Sequence, residues 1–267
     1  MHRPDRGGSV NQYETITWTI DDGIGRLTFD RPDNRNGITG VMMNELYAAL
    51  SAAETMADLR VLVLSGAGDS FCVGADLKHY SSGADDPGSL PETFHITRLL
   101  HDIPAVTIAA VNGAAAGAGF GWACACDLRF AASNAVFNTA FLDVASAGDM
   151  AGPWTLSRLI GAAKARELYF LPGKFSAAEA KEMGLVIDIF EAAEFRSKVD
   201  AIAARLGGAA PLAIAGMKQN FLAAEELGFS DYIDVESERH IRVMASEDTT
   251  EAFSAFLEKR KPLFKGR

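Results

Sequence analysis

The sequence has little of what marks several protein classes. Its three cysteines, Cys72, Cys124 and Cys126, are odd in number and lie in apolar surroundings. That argues against a disulfide framework and for small buried core residues in a reducing compartment. Cys124-x-Cys126 has no further Cys or His nearby, so no metal site is expected. No run reaches the ~18 apolar residues of a membrane-spanning helix. Positive charge is also scarce: 25 Lys and Arg stand against 35 Asp and Glu, a net charge of −10. A nucleic-acid surface is therefore not expected, although a few local cations suffice for one phosphate group. The first ten residues are polar, contain Pro4, Gly7 and Gly8, and lack a signal-peptide core. Residues 1–12 are expected to form a flexible tail, and the location to be cytoplasmic.

What is present is a large stock of apolar residues, 48% of a 267-residue chain, enough for a sizeable core. One stretch organises it. Val106-Thr-Ile-Ala-Ala-Val111 reads as a buried strand of a parallel sheet, and Asn112-Gly113 breaks it. Small residues follow, and from about Gly119 they read as a helix that can pack closely on its neighbours. The first amides of such a helix have no partner inside it, and the dipole's positive end points outward. Glycine there lets a ligand oxygen approach the backbone. Three readings of Gly117-Ala-Gly-Phe-Gly121 stay open on these residues alone: tight helix–strand packing, a dinucleotide turn, or an oxyanion-binding site.

The rest of the chain alternates strands and helices. Thr15–Ile20 and Arg26–Phe29 flank a turn and read as a hairpin. Arg31–Gly37 is a turn-rich loop, after which Thr39 can cap a long amphipathic helix. Arg60–Ser65 is an apolar strand closed by glycines. Ser81–Pro91 is a long loop, Phe94–His101 a helix, Leu128–Ala131 a strand, and Leu185–Phe190 another. From Ala192 the pattern is nearly all helix. The fold class is thus α/β, with a core over 13–190 and a helical region over 191–267.

Two glycine loops, each following an apolar strand, carry a specific resemblance. Ser70-Phe-Cys-Val-Gly-Ala-Asp-Leu-Lys78 and Ala109-Ala-Val-Asn-Gly-Ala-Ala-Ala-Gly-Ala-Gly119, with their surroundings, resemble the crotonase (enoyl-CoA hydratase/isomerase) superfamily. Cys126-Asp-Leu-Arg-Phe-Ala-Ala, Ser157-Arg-Leu-Ile-Gly, Ser176-Ala-Ala-Glu-Ala, Gly184-Leu-Val and Glu251-Ala-Phe-Ser-Ala-Phe-Leu-Glu-Lys-Arg-Lys-Pro follow in the family's order. The resemblance displaces the dinucleotide reading. It implies a β-β-α spiral whose C-terminal helices pack a trimer, often paired into a hexamer. It also implies an acyl-CoA thioester whose carbonyl sits between the N–H groups of Ala75 and Ala118. Coenzyme A then arrives as part of the substrate, with no separate cofactor. Arg35, Ala75, Asp76, Leu77, Lys78, Phe256 and Lys259 are the residues implied to border it, Lys259 reaching a neighbouring subunit.

The sequence also departs from the family. Hydratases carry two glutamates, and here those positions are Gly121 and Phe141. Neither can move a proton, and each acid–base group typically contributes 10²–10⁴-fold. Efficient hydration of simple enoyl-CoAs is not expected. Asp149 occupies a position used by an aspartate in dienoyl-CoA isomerases and in 4-chlorobenzoyl-CoA dehalogenases, which makes it the remaining acid–base or nucleophilic candidate. Its alternative is to cap the helix beginning near Pro153. Dehalogenases also place a histidine base on the preceding helix, at a position that aligns with Phe94, one residue from His95. Gly121 and Phe141 suggest a roomy apolar pocket, with His95 at its edge. The expected chemistry is isomerisation, or substitution or cleavage on a bulky acyl group. The alternative is a catalytically degenerate acyl-CoA-binding protein.

Overall fold

Apolar runs broken by glycine fold into a repeating strand–strand–helix unit. The computed structural model describes residues 13–83 and 87–267; the tail expected over 1–12 and part of the Ser81–Pro91 loop lie outside them. The chain opens with the antiparallel hairpin β1 (Ile16–Asp21) and β2 (Ile24–Phe29), then α1 (Gly40–Glu54), whose first turn is capped by the Thr39 side chain accepting from Met42 N. Next come β3 (Val61–Gly66), β4 (Ser70–Cys72), α2 (Leu77–Ser81), a 3₁₀ turn Pro91–His95, and α3 (Ile96–Asp102). The central unit is β5 (Val106–Val111), β6 (Ala114–Ala116) and α4 (Gly117–Ala125). It is followed by β7 (Leu128–Ala132), β8 (Val136–Asn138), α5 (Gly152–Ile160), α6 (Ala162–Phe170), β9 (Phe175–Ser176), α7 (Ala177–Glu182) and β10 (Asp188–Phe190). Four helices close the chain: α8 (Ala192–Gly207), α9 (Pro211–Glu226), α10 (Phe229–Met244) and α11 (Glu247–Leu257).

The pairs β3 and β4, β5 and β6, and β7 and β8 each give one strand to each of two sheets. The larger has the order β1-β2-β3-β5-β7-β10 and the smaller β4-β6-β8-β9. In the smaller sheet β4, β6 and β8 run parallel side by side, with Ala115 opposite Phe137 and Ala116 opposite Asn138. Their carboxyl ends therefore emerge together, at the edge where parallel sheets bind ligands. All nine residues of α4 are buried between the sheets and α3 and α5. A helix buried all round needs no polar face, which accounts for its composition.

The differences from the sequence expectations have local causes. Ala114–Ala116 is a strand, and α4 starts at Gly117 rather than Gly119. Three alanines carry no β signal of their own; pairing between β4 and β8 makes them a strand. Phe94–His101 divides into a 3₁₀ turn and a short α-helix, and the last strand shortens to Asp188–Phe190. Helix α8 covers the open face of the large sheet, burying Phe195, Val199 and Ala203 against Val61, Val63, Ile108 and Phe130.

Helix α9 is tied back to the core by a buried ion pair. Lys218, 5% exposed, donates to both carboxylate oxygens of Asp127 at 2.6 Å. Asp127 also accepts from the Thr107 amide and hydroxyl. Among the described residues no single helix is long and apolar enough to cross a membrane.

Candidate active site

The site forms where β4, β6 and β8 run out. After β4 the chain passes Gly74 (φ 82°) and is pinned by a parallel bridge between Ile38 and Ala75. Ile38 N donates to Gly74 O at 2.8 Å, and Asp76 N donates to Ile38 O at 3.0 Å. Amides alternate along an extended segment, so this pinning turns the Ala75 N–H to the opposite side. There, among the described residues, it has no protein acceptor.

After β6 the backbone turns at Gly117, whose φ of 52° favours glycine. Ala118 follows at the second position of α4, where an N–H has no intrahelical acceptor, and no side chain caps this helix. The two loops abut: a Cβ built on Gly74 would lie 3.5 Å from Ala118 N and 3.1 Å from Ala116 O. Two such amides, one on an extended loop and one in the first turn of a helix, can stabilise a negative oxygen, and such a donor is typically worth about 3–4 kcal/mol.

The loop after β8 forms the third wall. Phe141 is buried and stacks on Tyr169 of α6, with ring centroids 5.9 Å apart and an interplanar angle of 16°. Its Cε1 atom lies 4.0 Å from where a Cβ on Gly117 would stand. Beyond these rings a cavity of about 500 Å³ is lined by Phe141, Leu142, Ser146, Pro153, Tyr169 and Phe170.

Asp149 sits half-buried in this loop. The alternative role as a helix cap is corrected by the geometry: α5 begins at Gly152 with Ala151 at its N-cap, and no side chain caps it. Asp149 Oδ1 is buried and has no hydrogen-bond partner among the described residues. Burial raises its pKa above the usual carboxylate value.

Gly121 does not open the pocket, contrary to the sequence expectation. A Cβ there would lie 2.6 Å from Met150 Cβ, so Met150 already occupies the space. The Met150 sulfur accepts from Trp122 Nε1 at 3.0 Å and from Thr97 Oγ1 at 3.2 Å, which fixes it in place. His95 is exposed at the end of its 3₁₀ turn, and the helix that follows turns Thr97 toward Met150 instead. Phe94, Thr97, Trp154 and His101 line a separate cavity of about 360 Å³.

The residues expected near coenzyme A divide into two groups. Around the Ala75 loop, Leu77 and Lys78 are exposed on α2. Asp76 caps that helix by accepting from His79 N at 3.0 Å and pairs with Arg31 at 3.0 Å. Burial works against its charge, but the His79 amide and the Arg31 guanidinium outweigh it and hold the carboxyl below its usual range. Arg35 is exposed on the neighbouring loop, which fully buried Asn36 anchors by donating to Ala67, Ser70 and Phe71 carbonyls. Phe256 and Lys259 stand exposed at the end of α11, the phenyl ring 82% accessible.

Sequence reasoning missed Arg31, Met150 and Tyr169. Arg31 belongs to a polar loop with no pattern, and Met150 and Tyr169 reach the site only through helix packing. The cysteines are as expected: Cys72, Cys124 and Cys126 are buried and free, and burial pushes each thiol up to about 12.

Comparisons with known proteins agree on one family. The family model described as enoyl-CoA hydratase/isomerase matches residues 19–267. A probable enoyl-CoA hydratase of Rhodobacter capsulatus is 35% identical, covering 96% of this chain and 99% of its own. The peroxisomal Delta(3,5)-Delta(2,4)-dienoyl-CoA isomerase of Arabidopsis thaliana is 32% identical, covering 96% and 98%. The 1,2-epoxyphenylacetyl-CoA isomerase of Escherichia coli is 32% identical, covering 95% and 99%. Among solved structures, an enoyl-CoA hydratase subunit of Geobacillus kaustophilus superposes with a TM-score of 0.85 at 32% identity, covering 96% and 99%. Paired sheets wound as a spiral, two unengaged amides at the ends of β4 and β6, and a family match over nearly the whole chain lead to one assignment: this chain has the crotonase fold and belongs to the enoyl-CoA hydratase/isomerase family.

Proposed function

We propose that the protein acts on an acyl-CoA thioester, with the thioester carbonyl held by the N–H groups of Ala75 and Ala118. Loss of a proton beside the carbonyl moves an electron pair toward its oxygen, and two fixed donors lower the cost of that charge. The observation carrying this reading is the abutment of Gly74 on Ala118 N, with neither alanine amide engaged by a protein acceptor among the described residues. Asp149 is the group that takes and returns the proton, or attacks the acyl group. A carboxyl raised by burial is a better proton carrier near neutral pH than an ordinary aspartate.

The reaction is isomerisation, or lyase- or dehalogenase-like cleavage or substitution, rather than efficient hydration. Gly121 and Phe141 supply no acid or base, and Met150 leaves no room for a longer side chain at 121. Two relatives named as isomerases, each 32% identical, support that choice. Coenzyme A enters as part of the substrate, its nucleotide near Arg35, Leu77 and Lys78, with Phe256 bordering it and Lys259 reaching it from a neighbouring subunit. Exposed apolar side chains along the last helices, among them Phe221, Phe229 and Leu257, support a homotrimer or a dimer of trimers. Fatty-acid metabolism in the cytoplasm is the setting that fits this chemistry.

The test is a turnover panel of crotonyl-CoA, a 3-enoyl-CoA, a dienoyl-CoA and 4-chlorobenzoyl-CoA, run with Ala118→Pro as control. Proline is tolerated in a first helical turn but removes the donor. On whichever ester is turned over, kcat should fall about 10²–10³-fold with a nearly unchanged melting temperature. Fast hydration of crotonyl-CoA would refute the proposed role of positions 121 and 141. Tight binding without turnover of any ester would identify a degenerate acyl-CoA-binding protein instead.

A further inference from the structure

The direction of the Ala75 N–H is set where two loops lie flank to flank: residues 31–38 after β2 and residues 74–76 after β4. The bridge between Ile38 and Ala75 joins them through two backbone hydrogen bonds, and neither residue belongs to a strand of either sheet. The loops touch again at Gly37, where a Cβ would stand 3.0 Å from Asp76 Cβ and 3.2 Å from Asp76 Cα. Ala75 is exposed, so no packing around its methyl group holds the peptide. A bridge this short, outside any sheet, has no neighbouring ladder to stop it twisting.

One side chain spans it. Arg31 donates through Nη1 to Gly37 O, one residue before Ile38, and through Nη2 pairs with Asp76 Oδ2 at 3.0 Å, one residue after Ala75. Both ends of this strut are fixed from behind. The Arg31 amide donates to Asn36 Oδ1 at 2.9 Å, and the Asn36 side chain is anchored on the carbonyls of Ala67, Ser70 and Phe71. Asp76 Oδ1 accepts from His79 N. The Arg31 and Asp76 side chains are only 16% and 10% exposed. An ion pair so far out of water adds little net stability over apolar residues, because desolvation offsets the attraction. A guanidinium does fix geometry, since its donors form a rigid planar fork. We infer that Arg31 is a positioning residue for the oxyanion donor at Ala75. By tying Gly37 to Asp76 it holds the peptide between Gly74 and Ala75 in one orientation, so that the donor is in place before charge develops on the thioester oxygen. This rests on the acyl-CoA reading and deepens it. A misplacement of about 1 Å caused from outside the reacting atoms can cost about 10²-fold in rate.

Infrared difference spectra of the full chain with benzoyl-CoA carrying ¹³C at the thioester carbonyl test this without requiring turnover. In the wild type the bound C=O stretch should lie below that of the free ester. In Arg31→Met about half of that shift should be lost, because one of two donors is loosened. Arg31→Lys should recover only part of it, since a compact ammonium lacks the fork that reaches both acceptors. Asp76→Asn keeps an oxygen for the His79 amide but turns an NH₂ toward the guanidinium, and should behave as Arg31→Met does. On any ester that is turned over, kcat should fall about 10- to 10²-fold in Arg31→Met and Asp76→Asn, with KM changed less than about threefold. Melting curves confirm that each variant is folded. If both variants keep the full carbonyl shift, the pair only stabilises the loops and the inference is overturned. If CoA and benzoyl-CoA both bind more weakly to Arg31→Met while the shift stays intact, Arg31 is a nucleotide contact and the inference is likewise overturned. If wild-type protein fails to bind benzoyl-CoA, or binds it with no carbonyl shift, the acyl-CoA reading fails and takes the inference with it, an outcome the wild-type spectrum alone distinguishes.

Discussion

A methyl group added at Gly121 would separate two opposing effects. In an ordinary helix interior, Gly→Ala gains about 1 kcal/mol from reduced backbone freedom. Here the new Cβ would lie 2.6 Å from Met150 Cβ and 3.3 Å from Met150 O, against an ordinary carbon separation of about 3.5–4.0 Å. The clashing atom belongs to the root of the side chain, so a rotamer change cannot relieve it. Met150 also has a left-handed φ of 54°, and its sulfur is held by Trp122 and Thr97. Overpacking of this kind costs about 1–3 kcal/mol. Gly121→Ala should therefore be net destabilising by about 1 kcal/mol, lowering the melting temperature by about 2–4 °C. In a Met150→Gly background the opposing Cβ is gone and the left-handed backbone relaxes. There Gly121→Ala should stabilise by about 1 kcal/mol. The coupling in this double-mutant cycle is then about 2 kcal/mol. Urea or thermal unfolding of the four proteins reads it directly. A stabilising Gly121→Ala in the wild type would show that the Met150 loop yields, and with it that a glutamate could be accommodated at 121.

Three further outcomes are expected. Asp149→Asn should raise the melting temperature at neutral pH. Burial holds the folded carboxyl above the usual carboxylate range, so the folded state keeps a proton the unfolded state has lost, and stability falls as pH rises through that window. The gain should vanish below about pH 4 and a pH series of melts checks it; a gain constant with pH refutes burial as the cause. Lys218→Met should cost about 3 kcal/mol in denaturant unfolding, because it leaves the partly buried Asp127 carboxylate without its cation. His95→Ala should leave turnover of the active ester unchanged within twofold, since the ring is exposed outside the site; a large kcat loss would show that the loop closes over substrate.

Strand Val106–Val111 was legible because a β-branched apolar run bounded by Asn-Gly has few alternatives. The cap at Thr39 and the inert cysteines were legible because each depends on near neighbours in sequence. The glycine turns before Ala75 and Ala118 were legible for a related reason: a turn of this kind is a backbone property of a few neighbouring residues. Asp149 could be found but its cap alternative could not be discarded, since that required knowing where α5 starts.

The sequence by itself determined the alternation of the large-sheet strands with helices, the two glycine turns and the absence of glutamate at 121 and 141, because these are set by local sterics and side-chain identity. Only the tertiary structure decided that Ala114–Ala116 pairs as a strand, that Met150 fills the space beside Gly121, and that Tyr169 lies across the Asp149 loop. Those outcomes depend on segments distant in the chain competing for one volume, and nothing within a short window of residues encodes which of them occupies it.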